Sequence, residues 1–244
     1  MGENAPVLWV TGAGSGMGRA AAIDAAAPGR RIALSGRRPE ALESTAELVR
    51  AAGATALVVP LDVSDDAAVA NAHERIVEAW GSVSRVVLAA GVNIVDRHWG
   101  EQTMPQFDTV VATNLSGVVR IIHSVLPGMR AAGDGVIVVV SSYAGWRTSA
   151  GAGAAYSASK TALRAVVATL NSDEAPNGIR ATHLCPGDVD TDLLLQRPIV
   201  PDAAARARML TPQDVARAIS FVLDAPPHVV VDELVLSPIS QERW

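Results

Sequence analysis

Short apolar runs alternate with longer alanine-rich stretches along the chain. The runs occupy residues 7–10, 31–35, 56–60, 85–89, 135–141, 180–185 and 233–236. Most are apolar at successive positions rather than at every second one, the pattern of strands buried on both faces of a parallel sheet. Between them, helical spacing covers residues 17–27, 39–52, 65–80, 105–130, 154–172 and 211–224. Ser64 and Thr211 stand where N-caps belong, and Pro212 follows at a first helical position. This alternation predicts an α/β fold, a doubly wound sheet of about seven parallel strands with helices on both faces. Residues 188–207, rich in Leu, Arg and Pro, break the rhythm and read as a lid. No internal repeat, low-complexity tail or Gly/Ser linker interrupts the pattern, so residues 1–244 are expected to form one domain.

Composition narrows the partners. Hydrophobic residues make up 49% and charged ones 18% of the 244, enough for a large core. A net charge of −5 without a basic stripe leaves no footprint for nucleic acid or an anionic membrane, and a small-molecule partner is expected. Cys185 is the only cysteine, which excludes an intramolecular disulfide. The opening MGENAPVLWV has no basic cluster before its apolar run and does not read as a secretory signal, which leaves the cytoplasm as the expected compartment. No run of consecutive apolar residues reads as long enough to cross a bilayer. The five histidines fall at no metal-ligand spacing, so no metal is expected.

Directly after the first strand comes Thr11-Gly12-Ala13-Gly14-Ser15-Gly16-Met17-Gly18, opening into a helix. Glycines there let the backbone turn tightly and approach a pyrophosphate, which rests on N–H groups at the helix N-terminus. A phosphate loop of the Gly-Lys-Ser/Thr type is excluded, because the only lysine lies far downstream at Lys160. The second strand ends in Ser35-Gly36-Arg37-Arg38, where an NAD site would place an acid for the ribose hydroxyls. Arg37 and Arg38 offer guanidinium groups suited to a ribose phosphate, which favours NADP over NAD; their other reading is as solvated turn residues. Two roles fit Asp62, a bond to an adenine amino group or the start of the next helical turn.

Lys160 is the single lysine among 20 Lys and Arg residues. Its compact ammonium shifts its pKa readily, which guanidinium does not. Tyr156, four residues earlier, shares its helix face. A phenol titrates at about pH 10, so proton transfer at neutrality needs a shift worth about 4 kcal/mol, part of which a neighbouring ammonium supplies. Upstream, the buried run at 136–140 leads into Ser141-Ser142-Tyr143-Ala144-Gly145. In open α/β sheets such strand ends carry ligand sites.

With these pieces in place, the chain resembles the short-chain dehydrogenase/reductase family, in its compact single-domain branch. The matching segments are the 11–18 turn, Asn114-Leu115-Ser116-Gly117, Ser142, Tyr156-Ser157-Ala158-Ser159-Lys160, and Pro186-Gly187 followed by Thr191. The resemblance spans almost the whole chain in the family's order. It implies a Rossmann fold and hydride transfer between NAD(P) and a carbonyl or alcohol. Tyr156 is then the general acid/base and Ser142 the hydroxyl holding the carbonyl oxygen. Lys160 would bind the nicotinamide ribose and lower the Tyr156 pKa, and Asn114 would hold a water in a proton relay. The resemblance further implies cofactor contacts from Gly12, Ser15, Gly16, Met17 and Gly18, from Asp62, Val63, Ala90 and Gly91, and from Pro186, Gly187, Val189 and Thr191. It also implies a homo-oligomer, tetramer or dimer.

The chain departs from the family pattern at Leu88-Ala89-Ala90-Gly91, where asparagines usually precede Ala-Gly. Its ending, residues 231–238, is similar to the subgroup with NADP-dependent 3-hydroxy acid and serine dehydrogenases. The expected pocket lies between residues 92–99, 146–149 and 188–197, where Arg97, Arg147 and Arg197 either bind a carboxylate or sit exposed. A catalytically silent dinucleotide sensor is the alternative from another class, and full retention of Ser142, Tyr156, Lys160 and Asn114 argues against it. A hydrolase is weaker, because no Gly-x-Ser-x-Gly turn occurs.

Overall fold

The computed structural model describes residues 6–241. Residues 1–5, on which the reading of the N-terminus partly rests, lie outside them. Strands β1 (Val7–Thr11), β2 (Arg31–Ser35), β3 (Thr55–Val58), β4 (Val83–Leu88), β5 (Gly135–Val140), β6 (Ile179–Pro186) and β7 (Glu233–Leu236) form one sheet in the order β3-β2-β1-β4-β5-β6-β7. Every pairing is parallel. The order reverses direction between β1 and β4, and a ligand crevice is expected outside the strand ends at that point.

The helices are α1 (Gly16–Asp24), α2 (Pro39–Ala51), α3 (Asp66–Trp80), α4 (Met104–Val111), α5 (Gly117–Ala132), α6 (Tyr143–Trp146), α7 (Ala154–Glu174), α8 (Ala203–Arg206) and α9 (Pro212–Leu223). Alternate residues of each central strand feed opposite cores. Trp9, Ile137 and Val139 pack with α3, α5 and α7, whereas Val10, Val138 and Val140 pack with α1, α2 and α9. Two covered faces explain why β1 and β5 are buried at every position, with Thr11 the one polar residue between them. This is the doubly wound Rossmann arrangement.

Several local expectations need correction. The N-cap of α3 is Asp65, whose side chain accepts from Ala68 N at 3.0 Å, and not Ser64. Ser64 instead turns back on Asp62, donating to its Oδ1 from N at 2.9 Å and from Oγ at 2.7 Å. Asp62 thus starts the turn into α3. Thr211 does cap α9, in a reciprocal box with Asp214.

Residues 105–130 were expected as one regular helix, but a π-turn at Ala112–Ser116 separates α4 from α5. Such turns insert a residue and often mark functional sites. Gly117 follows because a Cβ there would lie 2.7 Å from Val63 Cγ2. The whole Met104–Ala132 segment is long and apolar enough to cross a membrane by length and composition, contrary to the reading from consecutive apolar residues. Polar residues such as Asn114, Arg120 and His123 interrupt its apolar runs without ending the helix. Val118, Ile121, Ile122, Val125 and Met129 of its stripe are buried against the sheet, each contributing about 1.5–3 kcal/mol.

Residues 188–207 contain a 3-10 turn at Asp192–Gln196 and the single turn α8. The segment is tied down at its base, where Asp190 N donates to Leu210 O at 2.8 Å and Arg206 Nε meets Asp190 Oδ1 at 2.7 Å.

Candidate active site

The turn after β1 is shaped by what glycine lacks. Gly12 and Gly16 have φ of 67° and 52°, which side-chain-bearing residues rarely adopt. A Cβ on Gly12 would lie 2.6 Å from Ala89 O, and one on Gly18 would lie 2.4 Å from Gly12 O. Ser15, the N-cap of α1, makes no side-chain cap, so the first N–H groups of α1 remain for an anion. This cradle fits a dinucleotide pyrophosphate.

A cleft of about 450 Å³ runs from this turn toward α7. Gly12, Ser15, Gly16, Met17, Arg37, Arg38, Asp62, Val63, Ala90, Gly91, Tyr156, Lys160 and Thr191 all line it. A second cleft of about 480 Å³ holds Ser142, Pro186, Gly187 and Val189, and shares Met17, Ser141, Tyr156, Thr191 and Leu193 with the first. Tyr156 therefore stands where the two meet.

Two expected site residues lie outside both linings. Gly18 is buried beneath the turn, where it permits close helix–strand packing instead of meeting a ligand. Asn114 is fully buried and braces the loop after β4: its Oδ1 accepts from Val92 N at 2.8 Å, and its Nδ2 donates to Val92 O at 2.9 Å. Its amide also reaches Ser159 Oγ at 3.3 Å. The Asn114 side chain is thus bonded to protein through both its oxygen and its nitrogen.

Lys160 is only 4% exposed, and its Nζ donates to Val140 O at 2.9 Å. Burial lowers its pKa to about 8. Its backbone is fixed from the other side, since Ser141 Oγ donates to Lys160 O at 3.1 Å. Gly145 allows this contact, because a Cβ there would lie 2.4 Å from Ser141 Oγ and 2.6 Å from Lys160 O. Nζ stands 5.9 Å from the centre of the Tyr156 ring.

Burial pushes the Tyr156 phenol up from its ordinary value; a hydrogen bond with Ser142, then the charges of Arg197 and Arg97, pull against it. Among the cations, Arg197 and Arg97 thus favour the phenolate, and the Lys160 ammonium lies over the ring, 5.9 Å from its centre. Ser142 Oγ also accepts from Ala144 N at 3.2 Å at the start of α6.

The three candidate arginines separate. Arg97 is buried, Arg197 pairs with Asp188, and Arg147 stacks over Trp146 at 4.6 Å, outside both clefts. Sequence reading missed Gln196, whose Oε1 accepts from Asn93 N at 2.8 Å. It also missed Gln241, whose Oε1 accepts from Asp188 N at 2.8 Å. Both link segments about 50 or more residues apart, which no local pattern signals.

Behind Lys160, His183, Cys185 and Glu233 bring one ligand atom each within 4.8 Å of one another, although their spacing along the chain suggested no metal site. The third group arrives from β7, the strand beside β6. Glu233 Oε2 already faces His183 Nδ1 at 3.1 Å and Arg164 Nε at 3.5 Å. Burial pushes the Cys185 thiol up to about 12.

Comparison with known proteins agrees with this architecture. Residues 6–198 match the model of the short chain dehydrogenase family. The chain is 32% identical over 243 residues to sulfoacetaldehyde reductase of Chromohalobacter salexigens, covering 97% of this chain and 95% of that protein. It is 36% identical over 240 residues to glycine betaine reductase ATRR of Emericella nidulans, covering 95% of this chain but only 18% of that protein. Among solved structures, the alcohol dehydrogenase of the archaeon Thermococcus sibiricus, complexed with 5-hydroxy-NADP, superposes with a TM-score of 0.87 at 31% identity, covering 98% of this chain and 99% of that one. A cradle for pyrophosphate, a tyrosine and lysine one helical turn apart, and a family match over most of its length place this chain among the short-chain dehydrogenase/reductase enzymes.

Proposed function

We propose that the chain transfers a hydride between a nicotinamide dinucleotide, NADP by preference, and a small carbonyl or alcohol. The observation that carries this reading is the meeting of the two clefts at Tyr156, with Ser142 and Lys160 on either side. The bound dinucleotide supplies or accepts the hydride. Gly12, Gly16 and the first N–H groups of α1 would hold its phosphates, and Arg37, exposed on the same cleft, would meet a ribose phosphate. Tyr156 gives its phenolic proton to the substrate oxygen in reduction and takes it back in oxidation, while Ser142 hydrogen-bonds that oxygen. A phenol held above its ordinary pKa is protonated at neutral pH, which suits the reductive direction.

Residues 6–241 supply one sheet and one composite site, which supports treating the chain as a single catalytic unit. The reading includes a cytoplasmic homo-oligomer, in which subunit contacts would cover exposed apolar residues such as Phe221 and Ile199.

Tyr156→Phe tests the proposal. Turnover is expected to fall about 1,000-fold while NADPH still binds, measured by steady-state rates beside a fluorescence titration. Near-normal turnover would remove Tyr156 from its role. A wild-type protein that binds the dinucleotide without turning over any carbonyl would favour the silent sensor.

A further inference from the structure

Arg97 sits in the loop after β4 and is only 5% exposed. Its Nε donates to Ile94 O at 2.9 Å, and its Nη2 donates to the Gln196 carbonyl. Gly153 presses on its stem, where a Cβ would lie 2.6 Å from Arg97 Cβ. The side chain is thus held in place by neutral groups. Among the described residues, no carboxylate lies within salt-bridge distance, and Nη1 has no protein partner. A cation at that depth is unfavourable unless an anion meets it. Arg180 is similarly buried, but the carbonyls of Ala225 and Pro227 take both of its terminal nitrogens and it lines neither cleft.

Arg97 lines the same cleft as Ser142 and Tyr156, and so does Arg197. The two arginines are close enough to repel each other, and both act on the Tyr156 phenol. Asp188 holds Arg197 from one side. Gln196 joins the two walls, taking Arg97 on its carbonyl and Asn93 N on its side chain. The result is a small pocket with two guanidinium groups against one carboxylate, Arg97 fixed by backbone carbonyls and Arg197 by Asp188, opening on the reacting hydroxyls. A neutral substrate would leave that charge unmet.

We propose that the substrate is a short aldehyde or ketone bearing an anionic group, carboxylate or sulfonate, and that Arg97, with Arg197 beside it, binds that group. The proposal rests on the hydride-transfer reading above. A guanidinium fork takes either anion through paired N–H bonds, and pairing there would orient the carbonyl toward Ser142 and Tyr156.

The test compares kcat/KM with NADPH for two matched pairs, butanal against succinic semialdehyde and acetaldehyde against sulfoacetaldehyde. The anionic member of at least one pair is expected to be favoured by roughly 100-fold, and the favoured pair identifies the anion. Arg97→Gln is expected to reduce that preference roughly 100-fold, with Arg97→Lys retaining part of it. Preference for the neutral member in both pairs overturns the proposal. Equal losses on both members in Arg97→Gln, with a shifted pH profile, overturn it too, because Arg97 would then act only through Tyr156. If Arg97→Gln lacks a native circular dichroism spectrum, Arg97→Lys carries the comparison. If no aldehyde is turned over, the hydride-transfer reading fails, and the anion site is judged separately by thermal shift of the NADPH-loaded protein. Stabilisation by succinate or ethanesulfonate, absent with succinamide and lost in the variant, supports the site; no stabilisation by either anion overturns it.

Discussion

The two clefts that meet at Tyr156 are made of different material. The dinucleotide side sets close main-chain approach, in the glycine turn and the Ala89-Ala90-Gly91 run, beside side chains such as Arg37, Asp62 and Lys160. The substrate side is walled by side chains carried on loops, among them Arg97, Leu194 and Arg197. Main-chain walls tolerate almost no added atoms, whereas side-chain walls can be exchanged while the strands beneath stay put. The first cleft therefore suits a ligand shared across a family, and the second suits a substrate particular to this chain.

The sharpest way to break this contrast is Gly12→Val. The substitution forces a side chain into a φ of 67° with its Cβ 2.6 Å from Ala89 O. It is expected to abolish dinucleotide binding and to cost about 2–4 kcal/mol of stability, read by fluorescence titration and urea unfolding. Leu195→Ala, at an exposed position of the 3-10 turn after β6, is expected to change stability by less than about 0.5 kcal/mol. Normal binding by Gly12→Val would end the claim that main chain shapes the first cleft.

Arg37→Ala asks a finer question of the same cleft, since Arg37 is one of its side-chain contributions. NADPH affinity is expected to fall about 10–100-fold, and NADH affinity to stay within about threefold. Equal losses would leave Arg37 as a turn residue without a phosphate.

The smallest effect concerns the boundary between the clefts. Burial lowers Lys160 from its ordinary 10.5 to about 8, so the folded chain holds this proton less tightly than the unfolded chain. The buried charge is destabilising below about pH 8, and that penalty is relieved as pH rises from about 8 to 10.5. Any binding that uses the ammonium runs the other way. NADPH is expected to bind roughly tenfold more weakly at about pH 9.5 than at about pH 7, and Lys160→Met to show a flat profile across that range. A flat profile in the parent protein would show that the ammonium does not grip the cofactor.

The legibility of the sequence followed the same division. Each strand was readable because both faces of the sheet are covered, so runs such as Gly135–Val140 are apolar at every position. Tyr156 and Lys160 were readable because four residues make one helical turn. The π-turn was not, because an inserted residue leaves the helical period intact on either side. The bracing role of Asn114 depends on where the loop after β4 returns, and the burial of Arg97 on how Gly153 and Gln196 close over it. The grouping of His183, Cys185 and Glu233 arises from strand pairing, which sets residues 50 apart side by side.

One buried atom gives the fold an internal clock. Cys185 is the only cysteine in the chain, sealed inside β6 one strand from the sheet edge, and its thiol stays protonated at any ordinary pH. Electrophilic reagents in solvent can be attacked by its thiolate only when that edge parts. The pace at which it is labelled therefore counts excursions of the sheet directly behind Lys160, with no probe to be introduced.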